Sequence, residues 1–149
     1  MYDFQKYIAQ ESASIDWRFK KNRRVLNKVN VFNESFEKII WSKLKSENFL
    51  LEYSLNNDKF EHFETIKFVG NSDSVTKRLK EFSLPNKKIA LTWFAEQHTL
   101  LTDWKTFTHY WDDFFYPGSD DLIVFDESWN WILYFSHFET LQLGQGIKN

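Results

Sequence analysis

The chain has 149 residues, a formal net charge of -2 and no cysteine. This length suits one domain with a single core, and the lack of cysteine excludes a disulfide framework, a thiolate zinc site and a cysteine nucleophile. No uncharged apolar stretch approaches the roughly 18 residues of a membrane span, and the first residues lack the apolar run of a signal peptide. We therefore expect one soluble, cytoplasmic domain over residues 1–149, with no membrane partner.

Aromatic residues make up 19% of the sequence, with 7 Trp, 6 Tyr and 16 Phe. Each large ring buries about 150–250 Å², so a core of this size needs only part of them. We expect the remaining rings at the surface, where a cluster of them would mark a binding face.

The first half of the chain predicts a helix and a hairpin. Residues 1–10 predict a short helix. The segment "NESFEKIIWSKLKSE" follows Asn33, a candidate N-cap, and has apolar residues at helical spacing with glutamates early and lysines late, which predicts a helix. The segments "NFLLEYSL" and "HFETIKFVG" flank a turn at residues 56–58, which predicts two paired strands.

The middle of the chain predicts two further helices around a strand. The segment "SDSVTKRLKEF", capped by Ser72 or Asp73, predicts a helix that ends before Pro85, and "KIALTWF" alternates as a strand does. In the next segment, aromatic residues recur at intervals of three and four, which predicts a helix over 103–115 with a buried stripe. The members of the stripe are Trp104, Phe107, Trp111 and Phe114.

Three short apolar runs follow Pro117 and Gly118, at residues 122–126, 131–136 and 140–143. Small polar turns separate them, which predicts an antiparallel meander. Both faces of 131–136 are apolar, so we expect this strand in the interior of the sheet. The predicted fold class is α+β: a single domain with a mostly antiparallel sheet, a C-terminal three-stranded meander and two to four packed helices.

Charge is distributed unevenly along the chain. Residues 1–50 hold 10 Lys and Arg against 6 Asp and Glu, whereas residues 91–149 hold 2 against 9. Residues 112–127, which we call the acidic window, contain no Lys or Arg. Two of its acids lie in the last turn of the predicted helix, where carboxylates oppose the helix dipole. We expect a cationic group to compensate them, either elsewhere in the fold or on a partner. The window holds Asp112, Asp113, Asp120, Asp121, Asp126 and Glu127.

Catalytic motifs are absent from the sequence. Paired carboxylates suit a divalent cation, but neighbouring side chains point in different directions, so a metal-dependent hydrolase is only an alternative. The four histidines are scattered, and no G-x-S-x-G motif or glycine-rich phosphate loop is present. We expect a protein that is not an enzyme and has no cofactor or metal. The histidines are His62, His98, His109 and His137.

A second alternative rests on "WRFKKNRRVLNK", residues 17–28, which we call the basic stretch. Its cations suit phosphates and its rings suit stacking on bases, so it is a candidate RNA-binding segment. The sequence pI of about 6.1 and the acidic window argue against nucleic acid as a partner.

A resemblance to a known family lies in "YPGSDDLIVFDESWNWILYFSHFETLQLG", Tyr116 to Gly144. The segment has P-x-S-D-D before an apolar strand, then Phe-Asp, a Trp-bearing turn, the strand "WILYFSH" and a final strand ending in glycine. It resembles the C-terminal part of small bacterial immunity proteins, especially those of contact-dependent growth inhibition systems. The similar segment covers about one fifth of the chain.

The resemblance implies a non-catalytic cytoplasmic antidote that binds the toxic C-terminal domain of a cognate contact-dependent growth inhibition toxin. Such toxins are commonly nucleases, whose sites are cationic, and an acidic, aromatic inhibitor would complement them. In the turn "ESWN", Trp129 is expected as an exposed anchor, with packing over the sheet edge as the alternative. The candidate partner-binding residues are Asp112, Asp113, Tyr116, Asp120, Asp121, Asp126, Glu127 and Trp129.

Overall fold

The computed structural model describes residues 3–9, 13–82, 84–94 and 98–148. Over these residues the chain forms four α-helices and nine β-strands. The helices are α1 (Arg23–Leu26), α2 (Glu34–Ser46), α3 (Ser72–Glu81) and α4 (Trp104–Phe114). The strands are β1 (Asn30–Val31), β2 (Leu50–Leu51), β3 (Ser54–Leu55), β4 (Phe60–Lys67), β5 (Lys88–Trp93), β6 (Thr99–Asp103), β7 (Leu122–Phe125), β8 (Trp131–Ser136) and β9 (Thr140–Ile147).

Seven of these strands form one antiparallel sheet in the order β1-β6-β5-β7-β8-β9-β4, and β2 pairs with β3 in a separate hairpin. The predicted α+β class and the C-terminal meander, β7 to β9, are confirmed. Strand β8 has a neighbour on both sides, as its two apolar faces predicted.

The sheet has a hydrophobic core on each face. On β8, Trp131, Leu133 and Phe135 belong to one core, whereas Ile132 and Tyr134 belong to the other. This alternation follows from the two-residue period of a strand. Every residue of β8 is buried, so the strand is covered on both sides.

Helices cover both faces. Helices α3 and α4 pack on the face of Trp131, and the aromatic stripe of α4 is buried as its spacing predicted. Helix α2 packs on the opposite face. Its predicted N-cap is confirmed, because the Asn33 side chain accepts a hydrogen bond from the backbone N–H of Phe36 at 3.0 Å. Helix α3 instead begins after Asn71, which makes no side-chain cap.

The predicted pairing of "NFLLEYSL" with the following strand is wrong. The segment folds back on itself, and β2 pairs with β3 around a turn in which Tyr53 has a left-handed φ of 56°. Strand β4 pairs along its length with β9 instead. The longer ladder satisfies more backbone groups than a short local hairpin would, so β4 becomes the edge of the main sheet.

Residues 3–9 contain a short 3-10 helix, Phe4–Tyr7, where the sequence predicted a helical segment. Among the described helices, none is both long enough and apolar enough to cross a membrane.

Candidate partner-binding site

Asp120 lies in the core and forms an ion pair with Arg18. The Arg18 Nη1 to Asp120 Oδ2 distance is 2.8 Å, and the two side chains are 2% and 10% exposed. The guanidinium carbon lies 4.3 Å from the centroid of the Trp93 ring and 4.9 Å from that of Tyr116. Asp120 therefore compensates a buried cation from the basic stretch. For Asp120, the compensating cation therefore lies inside the fold and not on a partner.

Tyr116 belongs to the same internal group. Its hydroxyl donates a hydrogen bond to the backbone carbonyl of Arg18. Its backbone N–H donates to Asp120 Oδ2 at 2.8 Å. The ring is half-buried, and these contacts tie the end of α4 to the N-terminal segment.

Asp126 is also internal, since it is only 2% exposed. It forms an ion pair with Lys87, and Trp131 Nε1 donates to its Oδ2 at 2.8 Å. The backbone N–H of Ser128 donates to its Oδ1 at 2.9 Å. Burial by itself raises the pKa of Asp126, but the hydrogen bonds from Lys87, Ser128 and Trp131 outweigh it and hold the pKa below its usual value.

Three other acids of the window are less buried. Asp112 is exposed, and Asp113 accepts a hydrogen bond from Asn22 Nδ2 at 3.3 Å. Burial, followed by repulsion from Asp112, raises the pKa of Asp113. Glu127 Oε1 accepts the backbone N–H of Phe4 at 3.0 Å, so this carboxylate holds the N-terminal segment.

The expectation that Trp129 stands at the surface is wrong. The residue is 6% exposed, and its ring stacks on Phe125 with centroids 4.0 Å apart and on Phe49 at 6.2 Å. The Lys43 ammonium lies 5.3 Å from its centroid. A left-handed φ of 56° turns the ring back over the sheet, which is the alternative that the sequence left open. Its buried indole Nε1 has no hydrogen-bond partner.

Asp121 is the acid of the window that lies next to exposed rings. Its Oδ1 accepts hydrogen bonds from the Tyr134 hydroxyl at 2.9 Å and from the backbone N–H of His137 at 3.1 Å. The Nδ1 atom of His137 is 3.0 Å from both carboxylate oxygens. Burial, with the hydrogen bond and the charge of Asp121, raises the pKa of Tyr134, so its hydroxyl stays protonated as a donor.

Three rings form a contiguous group beside Asp121, and the exposed Leu51 lies in the same hairpin as one of them. Tyr53 lies 5.2 Å from His137 and 5.9 Å from Phe138, measured between ring centroids, and His137 lies 4.0 Å from Phe138. Leu51, Tyr53 and Phe138 are 56%, 49% and 59% exposed. We call Leu51, Tyr53, His137 and Phe138 the ring surface.

The chain segments that carry the ring surface have acids but no Lys or Arg. Residues 51–54 contain the exposed Glu52, and residues 137–139 contain the half-buried Glu139. With Asp121 at its base, the ring surface combines apolar rings and carboxylates, and it offers a partner both packing area and pairing sites for cations.

The eight candidate residues from the sequence do not form one surface. Asp120 and Tyr116 meet at Arg18, Asp126 meets Lys87 and Trp131, and Trp129 is in a core. Only Asp121 belongs to the exposed aromatic region. The sequence analysis missed Tyr53 and Phe138, although Phe138 lies in the short turn between β8 and β9, where a ring has little core to enter.

The neighbouring acids Asp120 and Asp121 point to different partners, Arg18 and His137, as expected for adjacent side chains. Within the described ranges, no group of three or more His, Cys, Asp or Glu residues is placed to hold a metal ion. Neither a protein-family model nor a curated protein matches the chain.

Proposed function

We propose that this chain is a non-catalytic, cytoplasmic immunity protein that neutralises the toxic C-terminal domain of a cognate contact-dependent growth inhibition toxin. The observation that carries the proposal is the ring surface, a cluster of exposed apolar side chains beside a hydrogen-bonded carboxylate. Clustered exposed rings are typical of protein interfaces, whereas isolated ones are common on any surface. The similarity of Tyr116–Gly144 to immunity proteins supplies the class of partner.

The ring surface is suited to be the centre of the interface. Two strand connections supply its rings, the turn of the β2–β3 hairpin and the turn between β8 and β9. The hydrogen bonds between Asp121 and His137 fix the middle of the cluster, so little side-chain entropy is lost on binding. Tyr53 and Phe138 then act as anchors that fill pockets on the toxin domain.

Charge favours a cationic partner at this place. Asp121 contacts His137, and the segments that carry the rings contain Glu52 and Glu139 but no Lys or Arg. A nuclease domain presents cations that hold phosphates, so its active-site rim is a chemical complement of this surface. Binding there would cover the entrance for the nucleic acid and leave the toxin intact but inactive.

A growth assay tests the proposal. The toxin domain is first sought at the C-terminus of a large secreted protein in the neighbouring upstream reading frame, and it is then produced in a bacterial host with or without this chain. We expect the chain to restore growth and to co-purify with that domain. Absence of protection and of binding by the wild-type chain would overturn the proposal.

Substitutions then locate the interface. We expect the double variant Tyr53→Ala, Phe138→Ala to keep its melting temperature but to lose about 30-fold or more in affinity, which corresponds to about 2 kcal/mol for a hot-spot anchor. Trp17→Ala removes another exposed ring and serves as the control, with unchanged affinity for the toxin domain. If both variants bind as the wild type does, the interface lies outside the ring surface.

A further inference from the structure

The basic stretch lies at the surface for most of its length. Five of its cations are exposed, and the stretch contains no acid. Only Arg18 among its Lys and Arg residues is buried, where it pairs with Asp120. The exposed cations are Lys20, Lys21, Arg23, Arg24 and Lys28. They fall within nine residues and form a concentrated positive surface.

An exposed indole lies at the start of this positive surface. Trp17 is 48% exposed, and the Arg18 guanidinium carbon lies 4.9 Å from its ring centroid. Arg18 is itself held by Asp120 and by the rings of Trp93 and Tyr116. The side chain that packs against the Trp17 ring is therefore fixed by the core. The result is a supported aromatic ring next to exposed cations.

We propose that the basic stretch binds single-stranded nucleic acid. The exposed face of Trp17 stacks on one base, and the ammonium and guanidinium groups of Lys20, Lys21, Arg23 and Arg24 pair with the phosphates of neighbouring nucleotides. A stacking ring beside a track of cations is the usual arrangement for binding a single strand without sequence preference. This site shares no residue with the ring surface, so the inference goes beyond the proposed function and does not depend on it.

In the sequence, the acidic window argues against a nucleic acid as ligand. The structure weakens this argument because two acids of the window are already paired with cations of the protein. Asp120 is neutralised by Arg18, and Asp126 by Lys87, so neither presents an uncompensated charge to a ligand. Asp113 accepts a hydrogen bond from Asn22 of this region and interacts with the charge of Lys21, and Asp112 is exposed beside it. These two carboxylates reduce affinity for an anion, and Asp112→Asn should therefore strengthen binding slightly.

Fluorescence anisotropy with labelled oligonucleotides tests the inference. The probes are a mixed-sequence single-stranded RNA of about 12 nucleotides, the DNA of the same sequence and a blunt DNA duplex. We expect both single strands to bind, and the duplex to bind more weakly because its bases are already stacked. With four phosphates neutralised, affinity for a single strand should fall about 20-fold between roughly 50 and 150 mM salt.

Two variants and a matched control make the test specific. The quadruple variant Lys20→Gln, Lys21→Gln, Arg23→Gln, Arg24→Gln should lose nearly all of the salt-dependent binding. A control with the same change in net charge, Lys67→Gln, Lys77→Gln, Lys80→Gln, Lys105→Gln, alters exposed lysines elsewhere and should keep most of the affinity.

Trp17→Ala should weaken single-strand binding about 10-fold to 100-fold, the range for one stacked base, and Trp17→Phe should recover part of it. The inference is overturned if no single strand binds at about 50 mM salt, if the two quadruple variants lose equal affinity, or if Trp17→Ala binds as the wild type does. None of these outcomes bears on toxin protection, which depends on the ring surface.

Discussion

The acidic window and the basic stretch are both densely charged and rich in aromatic residues, yet the fold places them differently. In the window, Asp120 and Asp126 are buried and ion-paired. In the basic stretch, every cation except Arg18 remains exposed. Both regions also supply core residues, since Phe19 and Val25 of the basic stretch and the strand β7 within the window are buried. A charged side chain that the fold encloses needs an internal partner, as Arg18, Asp120 and Asp126 have. Charge density along a sequence therefore does not by itself show which charged residues lie at the surface.

The largest expected difference separates Trp129, two residues after the acidic window, from Trp17 of the basic stretch. Trp129→Ala should lower the free energy of unfolding by about 3–5 kcal/mol, because the ring is buried between Phe125 and Phe49 and its removal leaves a cavity. Trp17→Ala should cost less than about 1 kcal/mol, because the ring is largely exposed. Denaturant titration of both variants measures the difference. Equal midpoints would show that the two rings are buried to the same degree.

The next comparison uses two arginines of the basic stretch. Arg18→Met leaves Asp120 buried without its cation and should cost about 3–5 kcal/mol, whereas Arg23→Met changes an exposed residue and should stay within about 0.5 kcal/mol. Adding Asp120→Leu to Arg18→Met should recover part of the loss, since it removes the orphaned charge. The recovery is incomplete because Asp120 also accepts the Tyr116 N–H. A double variant no more stable than Arg18→Met would contradict this account.

The regular parts of the fold could be predicted from the sequence because periodicity reports burial. The stripe of α4 has four members at helical spacing, and β8 is a nearly continuous apolar run between polar turns, so neither pattern depends on a single residue. The Arg18–Asp120 pair could not be found this way, since the two residues are 102 positions apart and no local pattern joins them. Trp129 was misplaced because a left-handed φ, unusual for this residue type, decides the direction of its ring.

The segment "NFLLEYSL" shows a different limit. Its apolar residues are compatible with several strand pairings. Which pairing forms is decided elsewhere in the chain, because β4 pairs with the edge of β9 and is then not free to pair with this segment. As a consequence the β2–β3 turn, and Tyr53 with it, is exposed. The ring surface therefore depends on long-range strand pairing, which is why the candidate site was only partly predictable.

Lowering the pH should have a smaller effect on the stability of the fold, and this effect distinguishes internal carboxylates from solvated ones. The folded-state pKa of Asp126 is held below its usual value of 3.8, so the unfolded state takes up a proton first as the pH falls. Its contribution to stability is complete above the ordinary pKa and is lost as the pH falls through the lower folded value. Asp126→Asn should remove this part of the acid sensitivity and cost about 1–3 kcal/mol at pH 7. Asp58→Asn, at an exposed position in a short 3-10 helix, is the control, and its melting temperature should fall between pH 7 and pH 2 as that of the wild type does. If the two variants behave alike, Asp126 is no more internal than Asp58.

The smallest expected effect comes from an acid outside the window and has the opposite sign. Burial raises the pKa of Glu37 from 4.5 to about 7, although its Oε1 accepts the Thr99 N–H at 2.7 Å. Between these pH values the folded state keeps a proton that the unfolded state has released, so stability falls as the pH rises and the penalty is complete above about 7. Glu37→Gln keeps the acceptor oxygen without the charge, and at pH 8 it should stabilise the fold by about 1 kcal/mol after allowance for solvent screening. Glu34→Gln, at an exposed position in the same first turn of α2, removes a favourable interaction with the helix dipole together with repulsion on Glu37, so it should change stability at pH 8 by less than Glu37→Gln does. Equal shifts in the melting temperatures of the two variants at pH 8 would show that burial does not set the energetics of Glu37.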